Sequence, residues 1–182
     1  MPDALVWGTL AVPERKQEAF MAATVSPAAW ADSPEGFFEW SRTPATSEVL
    51  LGELETLPLA TAEWLKVGRE GGLFECSGVL SLDSFLSARW PLAAFFRAAA
   101  EFEGSGELVL LGAGSVMFGY QVTVGHGQSR FETLSLPSYR NWLRRRAIVE
   151  LVSSPRLPVA QRPSLLVKSE LPRPAKRRAA RK

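Results

Sequence analysis

What most constrains the fold of this chain is where its charge and its prolines sit. Met1–Tyr139 carries 8 Lys+Arg against 17 Asp+Glu, a net −9, while Arg140–Lys182 carries 13 against 2, a net +11. The two halves leave only the +2 of the whole chain. The basic end also holds Pro155, Pro158, Pro163, Pro172 and Pro174 and closes on PAKRRAARK. Like charges repel and proline blocks regular structure, so residues 152–182 are expected to be a disordered basic tail. A core can therefore form only within about residues 1–151, a length that suits one domain. Hydrophobic content of 46% is enough to fill that core.

Composition narrows the function classes. Apolar runs such as Pro91–Phe96 end at a charge well short of the ~18 residues that a membrane span requires. No Lys or Arg precedes Arg15, so the start lacks the basic region of a secretory signal. With Cys76 as the single cysteine and His126 as the single histidine, neither an internal disulfide nor a multi-Cys metal site can be built. These features predict a cytoplasmic protein without a cofactor.

Along the chain, Ala4–Val12 is an apolar, β-branched run closed by Pro13 and reads as a buried strand. Glu14–Ala23 reads as a helix, with acidic residues at its positive end. Ser26–Pro44 is broken by Pro27, Pro34, Gly36 and Pro44. Glu48–Leu57 is read as a strand and Leu59–Val67 as a short helix stopped by Gly68. Leu73–Leu82 is a strand, followed by a helix from Ser84 to about Glu103 that Asp83 is placed to cap and that Pro91 should kink or restart. Glu107–Leu111, Ser115–Val124 and Gln128–Leu134 then read as strands. In the second of these, Val116, Phe118, Tyr120, Val122 and Val124 share one face while Gln121 and Thr123 share the other, as in an antiparallel strand with one buried side. Gly125-His126-Gly127 makes a hairpin link. Ser138–Leu151 reads as one amphipathic basic helix. The expected fold is α+β: a single mostly antiparallel sheet with helices packed on one face, a split-βαβ (ferredoxin-like) core with an added hairpin, the basic helix 138–151 and the tail.

Few residues carry catalytic signals. His126 lies on a turn with no neighbour in sequence to orient it. Gly112-Ala113-Gly114 resembles a fragment of a dinucleotide fingerprint, but a strand follows where a helix N-terminus is required. Glu53 and Glu55, if on a strand, share a face on the order of 7 Å apart, a spacing that can serve acid–base chemistry but is commoner on a solvated edge. Cys76 sits in an apolar strand, as inert thiols do. The chain is therefore read as a non-enzyme.

The stretch Trp30–Trp40 (WADSPEGFFEW) is the richer candidate. Large aromatics anchor interfaces and surrounding carboxylates select a basic partner, although such rings can equally cover the domain's own core. Trp30, Asp32, Glu35, Phe37 and Trp40, with Glu53 and Glu55 as flanking charges, form the candidate partner-binding set. The function expected from it is a non-catalytic protein-binding module that engages a basic protein. Toxin-neutralising immunity proteins share this physical profile, an analogy of class. The alternative is a nucleic-acid-associated accessory protein that neutralises phosphates through Arg140, Arg144, Arg145, Arg146, Lys176, Arg177, Arg178, Arg181 and Lys182. The basic helix can instead dock on an anionic membrane or on an acidic body, its own or a second copy's.

Overall fold

The fold is taken from a computed structural model, which describes residues 3–26, 33–34, 37, 44–112 and 118–153. Among the described residues, eight strands and five helices follow the order β1 (Ala4–Ala11), α1 (Glu14–Ala22), β2 (Thr24–Val25), β3 (Ala45–Thr46), α2 (Ser47–Glu55), β4 (Trp64–Glu70), β5 (Leu73–Leu80), α3 (Leu82–Ala98), β6 (Ser105–Gly112), β7 (Gly119–Gly125), β8 (Gln128–Thr133), α4 (Leu136–Arg144) and α5 (Arg146–Val152). A 3-10 turn, Ala99–Phe102, extends α3. Six strands form one sheet in the order β4-β5-β1-β6-β7-β8, every neighbouring pair antiparallel. Its first four strands reproduce the split-βαβ order, with α1 and α2 bridging β1 to β4 and α3 bridging β5 to β6. The β7–β8 hairpin is added beyond β6.

Strand alternation divides the sheet into two faces. Ala4, Val6 and Leu10 of β1, Phe74, Cys76 and Leu80 of β5, and Leu108 and Leu110 of β6 point into one core with α1, α2 and α3. There Phe20, Phe74 and Phe95 meet edge to face, with ring centroids 5.0–5.9 Å apart. Gly8 opens this face to α3, because a Cβ at that position would lie 2.8 Å from the Phe96 ring and 3.0 Å from Leu108. Leu5, Val79, Val109 and Leu111 point the other way. There they form a second, smaller core with Tyr139 and Trp142 of α4 and Ile148, Leu151 and Val152 of α5. The basic C-terminal segment thus covers the face opposite α1–α3, a position that the sequence reading left open.

Several local expectations need correcting. Glu48–Leu57 is not a strand. The Thr46 side chain caps α2 by accepting from Val49 N–H at 3.2 Å, and Leu50, Leu51 and Leu54 fall on one buried helical stripe. Leu59–Val67 is not a helix. Its second half is β4, turned into β5 through Gly71 and Gly72, both at positive φ (+51° and +90°), a backbone that glycine adopts without strain. Glu63, just before β4, ties that segment down. Its carboxylate accepts from Ser81 N–H at 2.7 Å, Ser84 Oγ–H at 2.7 Å and Ala60 N–H at 3.0 Å. The cap of α3 is Ser81 rather than Asp83, with Ser81 Oγ accepting from Ser84 N–H at 3.3 Å. Pro91 lies inside α3, which continues to Ala98. The helix expected over Ser138–Leu151 is two helices, the first capped by Ser135, parted at Arg145 where ψ is 138°.

Candidate interaction surface

Residues 27–32, 35–36 and 38–43 lie outside the described residues, and Trp30, Asp32, Glu35 and Trp40 are among them. What surrounds them is described. β2 and β3 pair Thr24 with Thr46 and Val25 with Ala45, which clips together the two ends of this stretch. Ser47 N–H donates to Ala23 O at 3.1 Å and closes the same clip. β3 runs directly into α2, whereas the described residues Ser33 and Phe37 lie against α3 and the β7–β8 hairpin.

Phe37 is 2% exposed and belongs to the main core. Its ring meets Phe131 edge-on at 4.5 Å and Tyr120 at 5.1 Å, and the Arg89 guanidinium lies 5.1 Å from its centroid. It therefore has almost no surface to offer a partner and drops out of the contact set. Its burial follows from the β7–β8 hairpin, whose Tyr120 and Phe131 leave an aromatic shelf that a ring from outside the sheet completes. Nearby, the buried Arg97 donates to Ser33 Oγ at 2.9 Å and Ser129 Oγ at 3.2 Å and lies 5.8 Å from the Phe131 ring centroid. The sequence analysis passed over Arg97. An arginine in an otherwise apolar helical stretch (AAFFRAAA) is the signal that marks it.

Glu53 and Glu55 are exposed on α2, not on a strand. Two residues apart on a helix, they point about 200° from each other, so they are not a facing carboxylate pair and the acid–base geometry considered for a strand is absent. α2 carries three carboxylates, Glu48, Glu53 and Glu55, all exposed, and no cation. None of the three enters an ion pair among the described residues. Val49, 50% exposed, lies among them.

The basic end is partly engaged with the body. Trp142 is 3% exposed, meets Trp7 at 5.7 Å and donates from Nε1 to Gln121 Oε1 at 3.2 Å. Tyr139 donates its hydroxyl to Gly112 O at 2.6 Å. Arg145 lies 3.6 Å over the Trp142 ring and pairs with Glu107 at 3.2 Å. Arg146 pairs with Glu150 at 2.6 Å, a hydrogen bond and charge contact that raise its pKa. The two contacts of Arg145 together are worth on the order of 1–2 kcal/mol, little enough for a partner's anion to compete. Arg140 and Arg144 are exposed on α4, and Lys176, Arg177, Arg178, Arg181 and Lys182 lie outside the described residues. Of the modes considered for this helix, docking on the chain's own acidic body is therefore the one present in the fold.

The remaining candidates show little chemistry. Cys76 is buried, and desolvation pushes its thiol up to about 12, so it stays protonated and unreactive. His126 occupies the turn of the β7–β8 hairpin at φ 53°, ahead of Gly127 at φ 74°. It borders an open hollow of about 320 Å³ with Thr123, Gln128, Ser129 and Arg130, and no described side chain hydrogen-bonds to the imidazole. Among the described residues no group of three His, Cys, Asp or Glu side chains converges as metal ligands would. No described helix is long and apolar enough to cross a membrane. Compared with known proteins, the chain matches no family model, no curated protein and no solved structure.

Proposed function

We propose that this chain is a non-catalytic protein-binding module whose acidic, aromatic surface engages a basic protein, in the manner of an immunity or inhibitor protein that neutralises a toxin. The observation that carries the reading is α2. Glu48 and Glu55 lie on one flank of its exposed surface and Glu53 on the other, with the half-exposed Val49 between them and no cation on the helix. The β2–β3 clip joins residues 24–25 to residues 45–46, directly ahead of that helix. Uncompensated carboxylates raise the encounter rate with a cationic surface and select against acidic partners, while an apolar centre supplies the buried contact. The Arg145–Glu107 pair, stacked on Trp142, supports the same chemistry within the chain itself.

The test is affinity capture from cells of the source organism, comparing the natural chain with Glu48→Lys/Glu53→Lys/Glu55→Lys and with Glu35→Lys/Trp40→Ala. Loss of one dominant basic protein from both variants, with thermal unfolding unchanged, is the expected result. Its retention by both variants overturns the proposed surface. The nucleic-acid alternative draws on the exposed Arg140 and Arg144 and on residues 176–182. A gel-shift titration of the full chain separates it, since binding through those residues must be present at low salt and fall steeply as salt rises.

A further inference from the structure

The sheet ends at β4, a strand paired on one side only. Val12 N–H donates to Gly72 O at 2.9 Å. In the β1–β5 register the even-numbered residues of β5 therefore bond to β1, and its odd-numbered residues turn their backbone to β4. The β4 partners of those odd-numbered residues are Trp64, Lys66, Gly68 and Glu70. The N–H and C=O groups of Leu65, Val67 and Arg69 thus point out of the sheet, and among the described residues none of them finds a backbone partner. An open row of this kind is a template for another strand.

The charges on β4 select which strand fits. Lys66 and Glu70 are exposed and stand on one face, either side of Gly68. Four residues apart on a strand, they are about 13 Å from each other, and neither enters an ion pair among the described residues. At the opposite edge, on β8, Arg130 already pairs with Glu132 at 2.9 Å. Between the two unpaired charges of β4, a Cβ at Gly68 would meet nothing within 4 Å, and the β4–β5 register runs through without a bulge. Nothing in the described fold therefore demands glycine there, at a position where it weakens a strand.

We propose that β4 pairs antiparallel with β4 of a second copy, about a two-fold axis through Gly68. In that register Lys66 faces Glu70 of the second copy and Glu70 faces its Lys66, the same contact made twice, as an isologous interface requires. Val67 stands opposite Arg69 of the second copy. Both turn their backbone outward, so each such pair exchanges both N–H···O bonds. At the axis the two Gly68 Cα atoms come to about 4.5 Å, a close approach that glycine suits. Registers centred on Val67 or on Lys66 set Lys66 against Gly68 or against its own copy, and one centred on Arg69 sets Arg69 against itself; all three lose the charge match. So short a strip buries less than the ~1,200 Å² of a standard interface, which makes the dimer weak, with a dissociation constant on the order of 0.1–1 mM. The inference uses neither α2 nor the basic partner proposed above.

The experiment is sedimentation equilibrium of the full chain at rising concentration, paired with amide hydrogen exchange read by NMR. A monomer–dimer equilibrium is expected, with the Val67 and Arg69 amides gaining protection as concentration rises. Lys66→Glu and Glu70→Lys should each weaken the dimer on the order of tenfold, because each sets like charges opposite one another twice. Lys66→Glu/Glu70→Lys should restore it. Both side chains are exposed, and the spectrum of each variant reports that it remains folded. A chain that stays monomeric at every concentration overturns the proposal. So does association that the single reversals leave unchanged or that the double exchange does not restore, because another surface would then be responsible. Protection of Val67 and Arg69 that is independent of concentration also overturns it, since the edge would then be covered within one chain.

Discussion

Replacing Trp142 by alanine tests how the second face of the sheet is held. The side chain is 3% exposed between Trp7 and the C-terminal helices, and truncating a tryptophan in a core costs about 3–5 kcal/mol. The bond from Nε1 to Gln121 adds on the order of 1 kcal/mol at most, since the half-buried Gln121 can regain water. Losing the platform for Arg145 adds about 0.5–1 kcal/mol. The sum, about 4–6 kcal/mol, is a large part of the 5–15 kcal/mol that typically holds a domain together. Trp142→Phe keeps most of the buried ring and gives up the hydrogen bond, so it should cost about 1–2 kcal/mol. Urea unfolding followed by circular dichroism reads both, with the slope showing whether unfolding stays cooperative. A loss below about 1 kcal/mol for Trp142→Ala, with an unchanged slope, would refute the reasoning, because α4 and α5 would then be held by something other than this ring.

Three further outcomes are expected. Burial alone would raise the pKa of Glu63, but hydrogen bonds from Ser81, Ser84 and Ala60 outweigh it and hold the carboxyl below its ordinary 4.5. The stability this contributes is present above the unfolded-state pKa and is lost as pH falls through the lower folded value. Glu63→Gln should therefore cost about 1–3 kcal/mol at neutral pH, and the difference from the natural chain should shrink below pH 4.5 in urea titrations. A Cβ at Gly106 would lie 2.1 Å from the backbone oxygen of Thr9, so Gly106→Ala should destabilise by at least the ~1–3 kcal/mol of an overpacked core, read as a lowered melting temperature. Cys76, buried and held protonated, should react with a disulfide reagent only in step with unfolding; prompt labelling of the native chain would contradict its placement.

Elements defined by local signals were legible in the sequence. The apolar run closed by Pro13 is β1, the acidic start and buried Phe20 mark α1, and the β7–β8 hairpin announces itself by alternation and the His126-Gly127 turn. Where two periodicities fit the same letters, the reading failed. Glu48–Leu57 contains enough apolar residues for a strand, and only the spacing of Leu50, Leu51 and Leu54, with Thr46 ahead, favours α2. Gly71-Gly72 was an available hairpin signal for β4 and β5 that the reading of Leu59–Val67 as a helix did not use. The candidate set changed for the same reason: Glu53 and Glu55 moved from one strand face to two sides of a helix, and Phe37 went to the core.

The sequence by itself determined that an acidic body carries the fold and that a basic segment follows it, because charge and proline content act wherever the chain goes. It also determined most strands, because alternation is written residue by residue. Only the tertiary structure decided that α4 and α5 close the second face through Trp142 and Tyr139, that Arg145 is shared between Trp142 and Glu107, and that Phe37 completes an aromatic shelf. Periodicity says which residues share a face. What that face meets depends on segments distant in the chain, and for Arg145 and Glu107 the separation is 38 residues.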